Sequence, residues 1–167
     1  MRELLLVLIG VYSSMALATG KLKVEQKFPA FNLQVLSMKG IDKKSRVNLE
    51  KLRGKIVIVD FWASWCEPCK KEMPALNRMY KKYKKNGLVI VGINVGDEID
   101  SVKDFLKENP VNFTLAYDQG KIFTDKCQLS TMPSSFVLSR DGTIKFIHSG
   151  YREGDASSFD KEISSLL

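Results

Sequence analysis

The chain has 167 residues, 44% of them hydrophobic and 27% charged, with a formal net charge of +7. That length suits one domain with one core, and a second catalytic domain is not expected. The basic excess comes without an arginine-rich arm, zinc-finger spacing or an aromatic RNA-binding motif, so nucleic acid is not an expected partner.

Met1-Arg2-Glu3 precedes an apolar run over residues 4–11, and Ala16-Leu17-Ala18 forms a small-x-small site before Thr19. The pattern predicts a signal peptide over residues 1–18 and an exported domain over 19–167. An uncleaved anchor is the competing reading. It is the weaker one, because residues 4–18 are interrupted by Tyr12, Ser13 and Ser14, whereas a spanning helix needs about 20 apolar positions. Further on, Phe28-Pro29-Ala30-Phe31-Asn32-Leu33 and Val47-Asn48-Leu49 are short extended candidates around the polar stretch 39–46, and together they read as an N-terminal hairpin.

Residues 56–62 and 88–95 are near-continuous apolar, β-branched runs, as expected of strands buried on both faces in a parallel sheet. Between them Cys69, Met73, Leu76, Tyr80 and Tyr83 recur at alternating four- and three-residue steps, the apolar face of a helix that stops at Asn86-Gly87. The Lys81-Lys82-Tyr83-Lys84-Lys85 run at its end reads as a solvated face. Residues 101–108 carry Val102, Phe105 and Leu106 on one side and end at Asn109-Pro110, which predicts a second helix. Residues 135–139 and 143–148 flank Arg140-Asp141-Gly142, whose Asp-Gly pair supplies the positive φ of a tight hairpin turn. Phe159, Ile163 and Leu166 then space a closing helix.

Cys66-Glu67-Pro68-Cys69 sits where the first apolar strand gives way to a helix. Two thiols at that spacing let one thiolate attack a foreign disulfide while the other releases it. Cys66, at the helix start, lies near unpaired N–H groups and the positive end of the helix dipole, so its pKa is expected below the free value of about 8.5. Lys70 and Lys71 push the same way and Glu67 opposes them. Cys69, one turn further in, suits the resolving role, and its proton needs an acceptor. Glu72 lies three residues on along the same helix face, and Asp60 interrupts an otherwise apolar strand. A buried carboxyl there would have a raised pKa and could shuttle protons near neutrality. The plainer readings are a structural carboxylate for Asp60 and an exposed helix residue for Glu72.

A structural staple across two residues closes almost no loop, and a zinc site would need two further ligands when only Cys127 and His148 remain. The dithiol carries electrons itself and calls for neither metal nor cofactor. A cis bond at Met132-Pro133 would turn backbone groups toward an extended substrate segment; an ordinary strand-edge proline is the alternative. Trp65, Glu67, Pro68, Met132 and Pro133 are therefore the candidate substrate-binding residues. Cys127 reads as a small buried filler and His148 as a surface residue.

Over residues 28–160 the chain resembles the thioredoxin superfamily, and within it the exported TlpA/ResA-type thiol-disulfide oxidoreductases. The matching landmarks are Phe28-Pro29-Ala30-Phe31, Gly54-Lys55, Phe61-Trp62-Ala63-Ser64-Trp65-Cys66-Glu67-Pro68-Cys69-Lys70-Lys71-Glu72-Met73-Pro74, Val91-Gly92-Ile93-Asn94-Val95, Met132-Pro133-Ser134-Ser135-Phe136 and Asp141-Gly142. The resemblance implies an α/β thioredoxin-like fold: a central mixed sheet flanked by helices, with an N-terminal β-hairpin extension and a helix-containing insertion around residues 97–118. It further implies Cys66 as nucleophile, Cys69 as resolving thiol, Pro133 as the cis-proline and Pro74 as the helix-kinking proline. Glu72 stands where this subfamily carries its active-site carboxylate, and Asp60 where thioredoxin has a buried Asp that its closest relatives often replace with Asn. Having both is a departure, as is Cys127 at a position usually aromatic. The implied function is reduction of disulfides in exported proteins, apocytochromes c among them, at the periplasm or outer face of the cytoplasmic membrane. A membrane thiol-electron transporter would re-reduce the enzyme, and a membrane tether stays open with the anchor reading.

Two alternatives stand beside this. A peroxiredoxin-like peroxidase would share the Phe-Pro-Ala-Phe opening, but residues 59–66 lack the Pro-x-x-x-Thr/Ser-x-x-Cys pattern. A non-catalytic thioredoxin-fold binding module would not need the intact dithiol.

Overall fold

A computed structural model describes residues 21–167. The predicted signal or anchor over 1–18 lies outside the described residues. In chain order the elements are β1 (Asn32–Ser37), β2 (Gly40–Asn48), β3 (Ile56–Trp62), α1 (Glu67–Tyr83), β4 (Leu88–Asn94), α2 (Ile99–Glu108), β5 (Thr114–Tyr117), α3 (Ile122–Cys127), β6 (Ser134–Leu138), β7 (Ile144–Ser149) and α4 (Asp155–Leu166). The strands form one sheet in the order β2-β1-β5-β4-β3-β6-β7. Pairs β3–β4 and β4–β5 are parallel and the others antiparallel, giving the mixed sheet expected.

Every residue of β3 is buried, which is why its sequence shows no polar alternation. Its side chains still divide by parity. Phe61 meets Phe123 and Phe136 on one face, where Phe28 and Phe31 complete an aromatic cluster with α3. On the other face Trp62 stacks on Phe105 of α2, while Asp60 faces α1. Helix α4 covers the same side, with Phe159 stacked on His148 of β7. The two layers are therefore unlike: an aromatic packing layer, and a helical layer into which the one charged residue of β3 points.

The predicted N-terminal hairpin is present, but its polar stretch is not a loop. Ser37 pairs with Gly40, and residues 40–48 form β2 itself. Asp42 to Arg46 are exposed because β2 is the sheet edge, and lysines on an edge discourage pairing with another chain. The segment Phe28-Pro29-Ala30-Phe31 is not a strand; only its neighbour Lys27 bridges to Thr143. The region around 97–118 contains α2 as expected and, in addition, β5, which inserts between β1 and β4 and joins the hairpin to the central sheet. At the predicted β6–β7 turn Gly142 has φ +76°. No helix among the described residues is long and apolar enough to cross a membrane.

Candidate active site

The chain leaves the C-terminal end of β3 through Ala63-Ser64-Trp65 and enters α1 with Cys66 as N-cap. Cys66 Sγ accepts the Cys69 N–H at 3.2 Å, a donor it shares with the Cys66 carbonyl oxygen at 3.1 Å, so a backbone N–H of the first helical turn points at the sulfur. Pro68 in the first turn loses nothing by lacking an N–H. Cys66 and Cys69 are joined by a disulfide with an S–S length of 2.04 Å. Both sulfur residues are buried, while Trp65, Glu67 and Pro68 around them are exposed, Trp65 by 68%. Glu67 pairs with Lys70 at 3.5 Å. Pro74 lies inside α1.

Asp97 holds this loop from the far end of β4. Its Oδ2 accepts the Ser64 N–H at 2.5 Å and the Asn94 amide at 3.0 Å, and its Oδ1 accepts the Trp65 indole N–H at 3.1 Å. Asn94 Oδ1 in turn accepts the Asp97 N–H at 2.9 Å, and the Tyr117 hydroxyl donates to the Asp97 carbonyl at 2.9 Å. The return turn needs Gly96: its φ is +81°, and a Cβ there would stand 2.8 Å from the Asp118 carbonyl oxygen.

Asp60 and Glu72 come together beneath the dithiol helix, each 1% exposed. Neither is an exposed residue, so the plainer reading of Glu72 falls away. The Ser135 hydroxyl lies 2.8 Å from Asp60 Oδ1 and 3.0 Å from Glu72 Oε1. Burial pushes both carboxyls above the ordinary range, and the charge of Asp60 pushes Glu72 further. Glu72 is on the buried face of α1 with Cys69, one turn away.

The Met132–Pro133 bond is cis. Because Phe61 pairs with Ser134, Pro133 lies beside the end of β3 from which the dithiol loop departs. The Pro133 carbonyl accepts the Gly150 N–H at 2.8 Å. The predicted site residues thus gather in the interior of the sheet, where the C-terminal end of β3 meets α1 and the start of β6, apart from Cys127 and His148. Cys127 is buried in α3, its thiol pushed up to about 12 by burial. His148 is not a surface residue: α4 covers it, and its Nε2 lies 2.7 Å from Glu162. Asn94, Asp97 and Ser135 have site roles that sequence reasoning missed. The one signal for Asp97 was an Asn-x-Gly-Asp run at the C-terminal end of a parallel strand, where such sheets build their sites.

Residues 24–147 match the AhpC/TSA family. The thiol-disulfide oxidoreductase ResA of Bacillus subtilis is 34% identical over 150 residues, covering 88% of this chain and 82% of that protein. The ResA of Bacillus cereus is 31% identical over 146 residues, covering 84% and 81%. Among solved structures, a Chlorobium tepidum protein assigned as a thiol:disulfide interchange protein DsbE superposes with a TM-score of 0.79 at 32% identity, covering 87% of this chain and 99% of its own. StoA of Bacillus subtilis superposes with a TM-score of 0.64 at 25% identity, covering 80% and 95%.

Proposed function

Because the chain belongs to the AhpC/TSA family and is a thiol-disulfide oxidoreductase similar to ResA, we propose that it reduces disulfides in exported proteins, apocytochromes c among them. The observation that carries the reading is the Cys66–Cys69 disulfide at the N-cap of α1, with a backbone N–H aimed at Cys66 Sγ. That environment favours a Cys66 thiolate in the reduced enzyme. Cys66 attacks one sulfur of the substrate disulfide, and the other sulfur leaves with the electron pair. Cys69 then loses its proton and attacks Cys66, forming the enzyme disulfide and freeing the second substrate sulfur. The buried carboxyls Glu72 and Asp60 supply the proton acceptor. Exposed Trp65, Glu67 and Pro68 and half-buried Met132 form the rim against which an extended substrate segment lies, with buried Pro133 shaping the backbone behind it.

Residues 1–18 serve as the export signal, and the domain 19–167 works in the periplasm or at the outer face of the cytoplasmic membrane. There a membrane thiol-electron transporter returns the enzyme to its dithiol form. The absent Pro-x-x-x-Thr/Ser-x-x-Cys pattern speaks against a peroxidase despite the family description. The test is turnover of insulin and of a disulfide-closed Cys-x-x-Cys-His peptide with a dithiol reductant. Reduction of both, faster for the peptide and abolished in Cys66→Ser, is expected. Peroxide consumption without disulfide reduction would point to the peroxidase, and thiol-independent binding without turnover to a docking module.

A further inference from the structure

Asp60 on β3 and Ser135 on β6 are cross-strand partners, and Glu72 reaches the same point from α1. All three are 1% exposed. A serine hydroxyl owns one proton, so it donates to only one of two oxygens at 2.8 and 3.0 Å. The two carboxyls also lie within hydrogen-bond reach of each other, so one of them carries a proton, donated to Ser135 Oγ or straight to its neighbour. Glu72 Oε2 distinguishes the two carboxyls: it is buried with no hydrogen-bond partner among the described residues. A bare oxygen is tolerable on a neutral carboxyl and costly on an ionised one. With the hydroxyl as the bridge, the arrangement runs from Glu72 Oε1–H to Ser135 Oγ, and from Ser135 O–H to Asp60 Oδ1.

Resting on the dithiol reading, we propose that Ser135 is a positioning residue that makes Glu72 and Asp60 one proton relay, with Glu72 as its entry and Asp60 as its sink. On resolution the Cys69 thiol proton enters at Glu72 Oε2. The proton on Oε1 moves to Ser135 Oγ, and the Ser135 proton moves to Asp60. Cys69 sulfur forms its bond to Cys66 as the bond from Cys66 to the substrate sulfur breaks. That sulfur departs with the electron pair and is protonated by the relay running in reverse. Two electrons pass from the enzyme dithiol to the substrate, and the relay ends with the proton count it began with.

Among the described residues the relay has no cationic partner of its own. Gly92 of β4, paired with Asp60, brings no charge, and His148 of β7, paired with Ser135, is engaged by Glu162 of α4. Asp155 of α4 adds a negative field that raises Glu72. Tyr151 feels Glu72, with Arg78 opposing. Burial favours the neutral form of both carboxyls, Glu72 more than Asp60, in line with the assignment of entry and sink.

The test is single-turnover resolution of a Cys66-linked mixed disulfide across pH 5–9, as a range about the thiol and carboxyl values, in the full-length protein. Ser135→Ala should slow resolution about a hundredfold and shift its pH midpoint, and Ser135→Thr, which restores the hydroxyl, should recover most of the rate. Asp60→Asn should slow resolution as much as Ser135→Ala, and the double variant should be no slower than either. If Ser135→Ala and Ser135→Thr are equally slow with an unmoved pH profile, the residue only packs and the relay is overturned; wild-type behaviour of Asp60→Asn overturns it as well. Infrared spectroscopy gives a readout independent of turnover and of the Ser135 variants. A protonated-carboxyl band should persist well above pH 7, where Asp60 has ionised, be lost in Glu72→Gln and kept in Asp60→Asn; its absence from the wild type there would overturn the arrangement. Failure of the dithiol reading would show differently, as no disulfide turnover by the wild type with the band intact.

Discussion

Asp97→Ala should loosen the dithiol loop without touching either sulfur. The substitution leaves the Ser64 N–H and the Asn94 amide without their acceptor. Asn94 is fully buried and Ser64 half-buried, so water compensates only the second. Orphaning a buried donor costs about 1–3 kcal/mol, which for this pair gives a loss of about 2–4 kcal/mol. In a domain of this size that corresponds to a fall in Tm of about 4–16 °C. The Trp65 indole adds little, because that ring is largely exposed. Asp97→Asn separates the two effects. Its carbonyl oxygen can keep the acceptor role of Oδ2, while its NH₂ group would face the Trp65 N–H, donor against donor. Stability should therefore fall by about 1 kcal/mol, while Trp65 is released. Thermal melts of the oxidised protein, followed by circular dichroism, give the first quantity. Acrylamide quenching gives the second, since Trp62 is fully buried and only Trp65 responds. An Asp97→Ala protein that melts with the wild type would show that Asp97 does not hold the loop, as would Asp97→Asn melting as low as Asp97→Ala.

Stability should also fall as pH rises above the ordinary carboxylate range. The folded protein holds a proton on Glu72, and on Asp60 up to about pH 7, that the unfolded chain has released, so the contribution is full below about pH 4 and declines by about 1.4 kcal/mol per pH unit for each proton held. Urea midpoints of the oxidised protein measured from pH 5 upward should show that decline, flattened in Asp60→Asn; a flat wild-type profile would contradict it. Cys127→Ala should retain turnover, and in the folded protein the Cys127 thiol should resist iodoacetamide at neutral pH, because burial holds it protonated. Rapid alkylation there would show that α3 opens. Mass spectrometry of the native protein should find a mature N-terminus at or near Thr19, and an intact Met1 in a membrane fraction would make the enzyme a tethered one.

Elements buried on both faces were the ones legible in the sequence. β3, β4 and the buried face of α1 announce themselves as apolar runs or periods because tertiary contacts surround them. β2 did not, since an edge strand with five consecutive exposed positions carries no apolar pattern to read. Helix α3 was missed for a related reason: it is six residues long, with only Phe123 and Cys127 buried, and Gly120 and Lys121 before it have positive φ. β5 has four residues, too few to show a period. Of the site, the dithiol, Asp60, Glu72 and Pro133 were legible because a charge within an apolar strand or a proline before one is locally anomalous. Ser135 and Asp97 were not, because a serine in a strand and an aspartate after one are ordinary until the fold brings partners 75, 63 and 33 residues away within hydrogen-bond reach.

Mixed-disulfide trapping shows which sulfur attacks. Reduced Cys69→Ser protein, mixed with a disulfide-bonded peptide and analysed by mass spectrometry after acid quench, should carry the peptide on Cys66, while Cys66→Ser should carry none. A peptide held on Cys69 in the Cys66→Ser protein would reverse the two roles, and no adduct in either variant would contradict dithiol exchange at this site.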